Sequence, residues 1–116
     1  MSQAKPENKI DYIELPASDI ERTKTFYHSV FGWKFTEYGP NYTSFHDGRL
    51  GGGFTMSAQP VKGGALVVLY AKALEDTRRK VIDAGGKIVI ETFDFPGGRR
   101  FHFADPNGNE LAVWSE

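Results

Sequence analysis

The chain repeats itself, and the repeat constrains the fold more than any other feature. Fifty-four positions separate Ile13 from Val67, Leu15 from Leu69, Ile20 from Leu74, Thr23 from Thr77, Tyr27 from Val81 and Gly32 from Gly86. The matches keep both strand and helix phase, as a duplicated supersecondary unit does. In the first copy Ile13 and Leu15 alternate with polar neighbours, the mark of a half-buried strand. Ile20, Thr23, Tyr27, Val30 and Phe31 follow at helical spacing, and Gly32 sits where a left-handed residue ends a helix. Ser18 stands three residues before Glu21, a capping-box spacing that makes Ser18 the expected N-cap. Three segments, WKFTEY, NYTSFHD and RLGGGFTM, then read as strands bounded by turn residues.

The second copy keeps this order: GALVVLYA as a strand, LEDTRRKVIDAGG as a helix without a good N-cap, then KIVIETFDF, RRFHFAD and ELAVW as strands. Each copy is therefore a βαβββ module. The modules run over about 9–57 and 64–115, joined by the linker SAQPVKGG at 57–64, and residues 1–8 are expected to be a disordered tail. The expected fold is α+β: a curled mixed sheet around a cleft, with the helices on its outer face. A strand alternates its side chains, so Ile13, Leu15, Leu111 and Val113 face the helices. Tyr12, Glu14, Glu110, Ala112 and Trp114 face the cleft.

Composition removes several functions. The chain has 116 residues, a hydrophobic fraction of 40% and 14 basic against 15 acidic residues, for a net charge of −1. That balance offers no basic stripe for nucleic acid or an anionic membrane. With no cysteine there is no thiol nucleophile, disulfide or thiolate metal site. The polar start MSQAKPENK lacks the apolar stretch of a signal peptide, and no segment has the roughly 20 apolar residues of a membrane span. A cytoplasmic protein is the expectation.

Three stretches, ASDIERTKTFYHSVFGW, AGG after the second helix, and FADPNGNELAVW, carry a resemblance over about residues 9–115. The chain resembles the vicinal-oxygen-chelate superfamily, which includes glyoxalases, extradiol dioxygenases, fosfomycin-modifying enzymes and bleomycin-resistance binding proteins. It is most similar to small members described as related to lactoylglutathione lyase. The resemblance implies the paired-module fold and, in catalytic members, a divalent metal held by His, Glu or Gln on four cleft-facing strands. The first ligand position lies seven residues before Asp19, at Tyr12, and the 54-residue shift carries it to Leu66. The last lies seven residues after Asp105, at Ala112, and the remaining one falls near Gly52. Tyrosine, leucine, alanine and glycine do not make a nitrogen–oxygen metal site, so the usual metal and any cofactor are expected to be absent. Glu110 is no simple substitute, lying two residues early, roughly 6–7 Å along the strand.

Candidate functional residues remain. His102, opposite Ala112 if the DPNG hairpin pairs 103 with 111, is a candidate general base or displaced ligand, or else a histidine satisfied by a neighbour. Glu14 is a candidate acid or base, or a carboxylate that fixes its strand through a backbone amide or Tyr12. Tyr12, Phe54, Tyr70 and Trp114 are candidate walls of a cleft for a flat organic ligand, or else a filled core. Phe54 pairs with Trp114 between halves if DGRLGGGF aligns with NGNELAVW. His46 and His28 read as turn and surface residues, Gly51 to Gly53 as a close backbone approach, and Arg100 as solvated charge that could reach the cleft mouth.

The leading expectation is a metal-free protein that binds a small organic ligand through Tyr12, Glu14, Phe54, Tyr70, His102 and Trp114, with His102 and Glu14 as possible catalytic groups. A metal-dependent lyase or dioxygenase using Glu14, His102 and Glu110 is the alternative, and it requires those three to converge. A structural or regulatory partner with a filled cleft is the third. The resemblance also implies a homodimer.

Overall fold

In a computed structural model of the protein, residues 7–116 are described. Most of the expected tail, residues 1–6, lies outside them. The elements run β1 (Tyr12–Pro16), α1 (Ile20–Phe31), β2 (Lys34–Glu37), β3 (Tyr42–His46), β4 (Gly51–Thr55), β5 (Val67–Tyr70), α2 (Leu74–Asp83), β6 (Lys87–Phe95), β7 (Gly98–Ala104) and β8 (Glu110–Ser115). This is the βαβββ order twice, an α+β fold. Each module makes a four-stranded mixed sheet, ordered β1-β4-β3-β2 and β5-β8-β7-β6, and the sheets are not closed on each other. In each, the first strand runs parallel to the last while the intervening strands form antiparallel hairpins.

The helices cover one face of this arrangement with an aromatic core. Tyr27 stacks on Trp33 at 4.6 Å and Trp33 on Phe45 at 4.4 Å, and Tyr27 packs on Phe54 at 5.1 Å. Phe26 reaches Phe103 of β7 at 6.0 Å, so α1 joins the two halves. Leu111 and Val113 are fully buried on this side, as alternation along β8 requires. No described helix is long and apolar enough to cross a membrane.

Helix α1 starts one residue later than the capping-box spacing implied. Asp19 is the N-cap, extended at φ −152°, and its side chain accepts from Arg22 N–H at 3.0 Å. Ser18 is engaged elsewhere: its backbone N–H donates to Asn107 Oδ1 at 2.8 Å. The helix ends at Gly32 with φ 73°, a left-handed conformation that glycine adopts without a Cβ penalty. Helix α2 has Ala73 as its N-cap and so no side-chain cap.

The turn after β7 is held by a buried carboxylate. Asp105 Oδ1 accepts from the backbone N–H groups of Asn107 and Asn109 at 2.8 and 2.9 Å. Its Oδ2 accepts from the Tyr27 hydroxyl at 2.8 Å and from Asn109 Nδ2 at 3.0 Å. The same Asn109 amide reaches Pro16 O of β1 at 2.7 Å. The DPNGN stretch therefore fastens the second module to the first. Burial and the Asp105 charge both push the Tyr27 phenol far above the usual tyrosine range.

Candidate functional site

The two sheets turn their other faces outward, and the strand registers fix what stands there. Tyr12 lies opposite Gly51 and Glu14 opposite Gly53. Ser44 lies opposite Gly53 and His46 opposite Gly51. On the second sheet Val68 lies opposite Ala112 and Tyr70 opposite Trp114, while His102 lies opposite Ala112 and Arg100 opposite Trp114. Tyr12, Glu14, Tyr70, His102 and Trp114 thus take the open faces, and the assumed pairing of 103 with 111 is the register found.

Phe54 does not. It lies opposite Leu15, is wholly buried and belongs to the core around Tyr27, so it lines no open face. The register explains the difference. Leu15–Phe54 corresponds to Leu69–Val113 in the second module, so Phe54 matches Val113 and not Trp114. The turn before β4 is one residue out of step with the turn before β8, and a one-residue slip moves a side chain to the opposite face. The same slip moves the remaining ligand position from Gly52 to Gly53, the true counterpart of Ala112. Gly52 faces the helices, where a Cβ would collide with Ile13 O and the Phe45 ring.

Two grooves lie along these faces. One of about 540 Å³ is lined by Tyr12, Lys34, Tyr42, Ser44 and His46, among others. Another of about 410 Å³ lies between the linker at 60–66 and His102, Gly108 and Glu110. They have no residue in common.

On the first sheet Tyr42 is the hub. Its hydroxyl donates to Glu14 Oε2 at 2.9 Å and is hydrogen-bonded to the Tyr12 hydroxyl. Burial first, and then these two partners, push the Tyr42 phenol well above the usual tyrosine range. Both hydroxyls sit over Gly53: a Cβ there would collide with the Tyr42 hydroxyl and lie 2.6 Å from Tyr12 Oη. The tyrosine pair occupies the space into which a residue-53 side chain would project. Sequence reasoning missed Tyr42, although its place in the alternation of NYTSFHD put it on the same face as His46. Close approach explains Gly52 and Gly53, as the glycine run suggested.

On the second sheet His102 Nδ1 lies 2.8 Å from Glu110 Oε2. Glu110, two residues before the family position, spans that distance diagonally. His102 is 94% buried, at 6% exposure, and its Nε2 has no hydrogen-bond partner. Arg100 is not simple solvated charge. Its guanidinium lies over the Phe93 and Phe95 rings at 5.3 and 5.7 Å, and its Nε is also buried without a partner. Tyr70 packs edge-on against Trp114 at 5.1 Å, and Phe95 lies 6.2 Å from Trp114. The result is an aromatic band with a cation and an imidazole set in it.

Glu14, His102 and Glu110 do not converge within the chain. The last two meet, whereas Glu14 belongs to the tyrosine cluster of the other sheet. Among the described residues, no group of three or more His, Cys, Asp or Glu side chains is gathered where a metal ion could be held. Tyr12, Leu66, Ala112 and, by register, Gly53, the positions that the resemblance assigns to ligands, supply one phenol and three hydrocarbon or hydrogen side chains, a donor set that does not fit a divalent metal.

Comparison with known proteins agrees with this fold. The family model described as the glyoxalase/bleomycin resistance protein/dioxygenase superfamily matches residues 9–113. A glyoxylase-like domain-containing protein of Didymella fabae is 29% identical, over 90% of this chain and 91% of its own. A glyoxalase/bleomycin resistance protein/dioxygenase family enzyme from Burkholderia phytofirmans superimposes with a TM-score of 0.79 at 17% identity, covering 90% of this chain and 96% of the other. A fosfomycin resistance protein from Listeria monocytogenes, in complex with Mn(II) and a dihydroxypropylphosphonic acid, gives 0.79 at 14% identity, covering 93% and 90%.

Proposed function

Since this chain belongs to the glyoxalase/bleomycin resistance protein/dioxygenase superfamily, we propose that it is a member that binds a small organic molecule without a metal. One observation carries the reading. The space above Gly53 is taken by the Tyr12 and Tyr42 hydroxyls, and the ligand positions that the resemblance implies fall on Tyr12, Leu66, Ala112 and, by strand register, Gly53. Grooves of about 540 and 410 Å³ exceed the ~300 Å³ at which ligand sites begin, which favours a ligand over a filled structural face. On the second sheet Tyr70, Trp114, Phe93 and Phe95 offer flat apolar contact area and His102 a polar group that orients a ligand, while Glu14 serves the groove of the first sheet through its bond from Tyr42.

The metal-dependent lyase or dioxygenase is the weaker reading, because its ligand set would have to span two sheets. We also propose a homodimer. The resemblance is its basis, and the exposed Tyr12, Val68, Tyr70 and Ile90 support a second copy covering the open faces. Sedimentation equilibrium at micromolar concentration is expected to give twice the chain mass.

Metal content decides the main reading. Protein purified without chelator or affinity-tag metal should carry far less than one equivalent. Its melting temperature should stay within about a degree when Ni(II), Zn(II), Mn(II) or Fe(II) is added. Near-stoichiometric metal with a melting temperature raised by one ion would overturn it.

A further inference from the structure

The described residues contain only two buried side-chain polar atoms without a hydrogen-bond partner: Arg100 Nε and His102 Nε2. An orphaned buried polar atom carries a desolvation penalty that native folds ordinarily avoid, so two together need a cause. They are two residues apart on β7, opposite Trp114 and Ala112, and therefore on the same open face. Both flank one ring. Phe93 lies under the Arg100 guanidinium at 5.3 Å and 6.0 Å from the His102 ring. Phe93 is on the edge strand β6, just past a break in register between Ile90 and Phe93, an irregularity that re-aims side chains beside functional sites. It is 36% exposed, and Ile90, opposite His102, is 42% exposed, so the β6 side of the pair is open to solvent.

The two atoms are chemically different. Arg100 Nε–H is a donor, and with a neighbouring Nη–H it forms the side-on fork that fits a carboxylate. A carboxylate only accepts, so the 2.8 Å contact with Glu110 puts a proton on His102 Nδ1, and in that tautomer of the neutral imidazole Nε2 is an acceptor. We propose that this face binds an aromatic carboxylate carrying a hydroxyl near the carboxyl group. The carboxylate sits on the Arg100 fork, the hydroxyl donates to His102 Nε2, and the ring lies against Trp114 and Phe95 after Phe93 yields. Glu110 is a positioning residue that fixes the imidazole. The charged groups around His102 are Glu110 on β8, Arg100 on its own strand, Lys87 opposite Ala104 on β6, and Lys62 in the linker groove. Glu116, bonded to the Tyr70 hydroxyl beside Trp114, is a second carboxylate near this face, so the cations Arg100, Lys87 and Lys62 outnumber the carboxylates by three to two. The assignment rests on the metal-independent reading above and names its ligand class.

Calorimetric titration of the full chain with salicylate, benzoate and phenol tests it. Salicylate should bind about tenfold or more tighter than phenol, with benzoate between them. Arg100→Gln should bring salicylate down to the level of phenol. Arg100→Lys keeps the charge without the fork and should lose at least several-fold. His102→Leu should abolish the advantage of salicylate over benzoate while leaving benzoate ahead of phenol. Circular dichroism melts confirm that each variant is folded. Salicylate and phenol binding alike, an Arg100→Gln variant with unchanged salicylate affinity, or no binding of any probe would each overturn the assignment. Binding of phenol alone overturns it and leaves the metal-independent reading intact. Binding that appears only after a metal is added overturns that reading instead.

Discussion

The Tyr27 hydroxyl donates a 2.8 Å hydrogen bond to Asp105 Oδ2 across the boundary between the modules, and both residues are buried. Tyr27→Phe keeps the ring stack and leaves one carboxylate lone pair unmet, an expected loss of about 1–3 kcal/mol. Asp105→Ala strands the Tyr27 hydroxyl and the N–H groups of Asn107 and Asn109 together. It should cost about 3 kcal/mol or more by the same reasoning. Urea unfolding of the two variants checks the order.

High pH should act on the same contact. The Tyr27 phenol is raised well above its ordinary value of 10.0, so the native state retains a proton that the unfolded chain releases. Its stabilisation is complete below about pH 10 and declines as pH rises toward the folded value. Tyr42, raised by burial and its Tyr12 and Glu14 partners, adds in the same direction. The urea midpoint should therefore fall above pH 10, and fall less in Tyr27→Phe. An equal decline in both proteins would refute the assignment to Tyr27.

Gly52 and Gly53 are adjacent but predict different outcomes. A methyl group at Gly52 meets the Ile13 carbonyl and the enclosed Phe45 ring, neither of which can withdraw. A methyl at Gly53 meets the free ends of two tyrosine side chains. Gly52→Ala should cost about 3 kcal/mol as overpacking and Gly53→Ala about 1 kcal/mol. Gly53→Ala should also separate the Tyr12 and Tyr42 hydroxyls, seen as a lowered alkaline midpoint in the 295 nm tyrosine titration.

The start of α1 gives a smaller test. Asp19→Ala removes the cap that accepts from Arg22 N–H and should cost about 1 kcal/mol. Ser18→Ala should stay within about 0.5 kcal/mol, because Ser18 meets Asn107 chiefly through its backbone N–H. Thermal melts of both variants suffice.

These residues also show how far the sequence could be read. Strand and helix order followed from periodicity, since Ile13, Leu15 and Tyr27 recur in phase 54 positions later. Which face each side chain took followed wherever the register was anchored, as at His102 opposite Ala112. It failed at Phe54 and Gly52, where turns of unequal step separate the two last strands and a single residue reverses the faces. Ser18 was misassigned because its competing partner, Asn107, is distant in sequence. Tyr42 over Gly53 and Arg100 over Phe93 and Phe95 are tertiary placements with no local signature.

The parallel pairing of β1 with β4, and of β5 with β8, has a consequence for synthesis. The first strand of each module to leave the ribosome is the last to find its neighbour, because β4 or β8 must first be made. Loop closure over a whole module is slow relative to hairpin formation. The antiparallel ribbons β2-β3-β4 and β6-β7-β8 should therefore assemble first, with β1 and β5 docking onto finished edges. During that delay Tyr12 and Tyr70 lie on unpaired strands, so nascent chains halted within either module would be the species most prone to associate with one another.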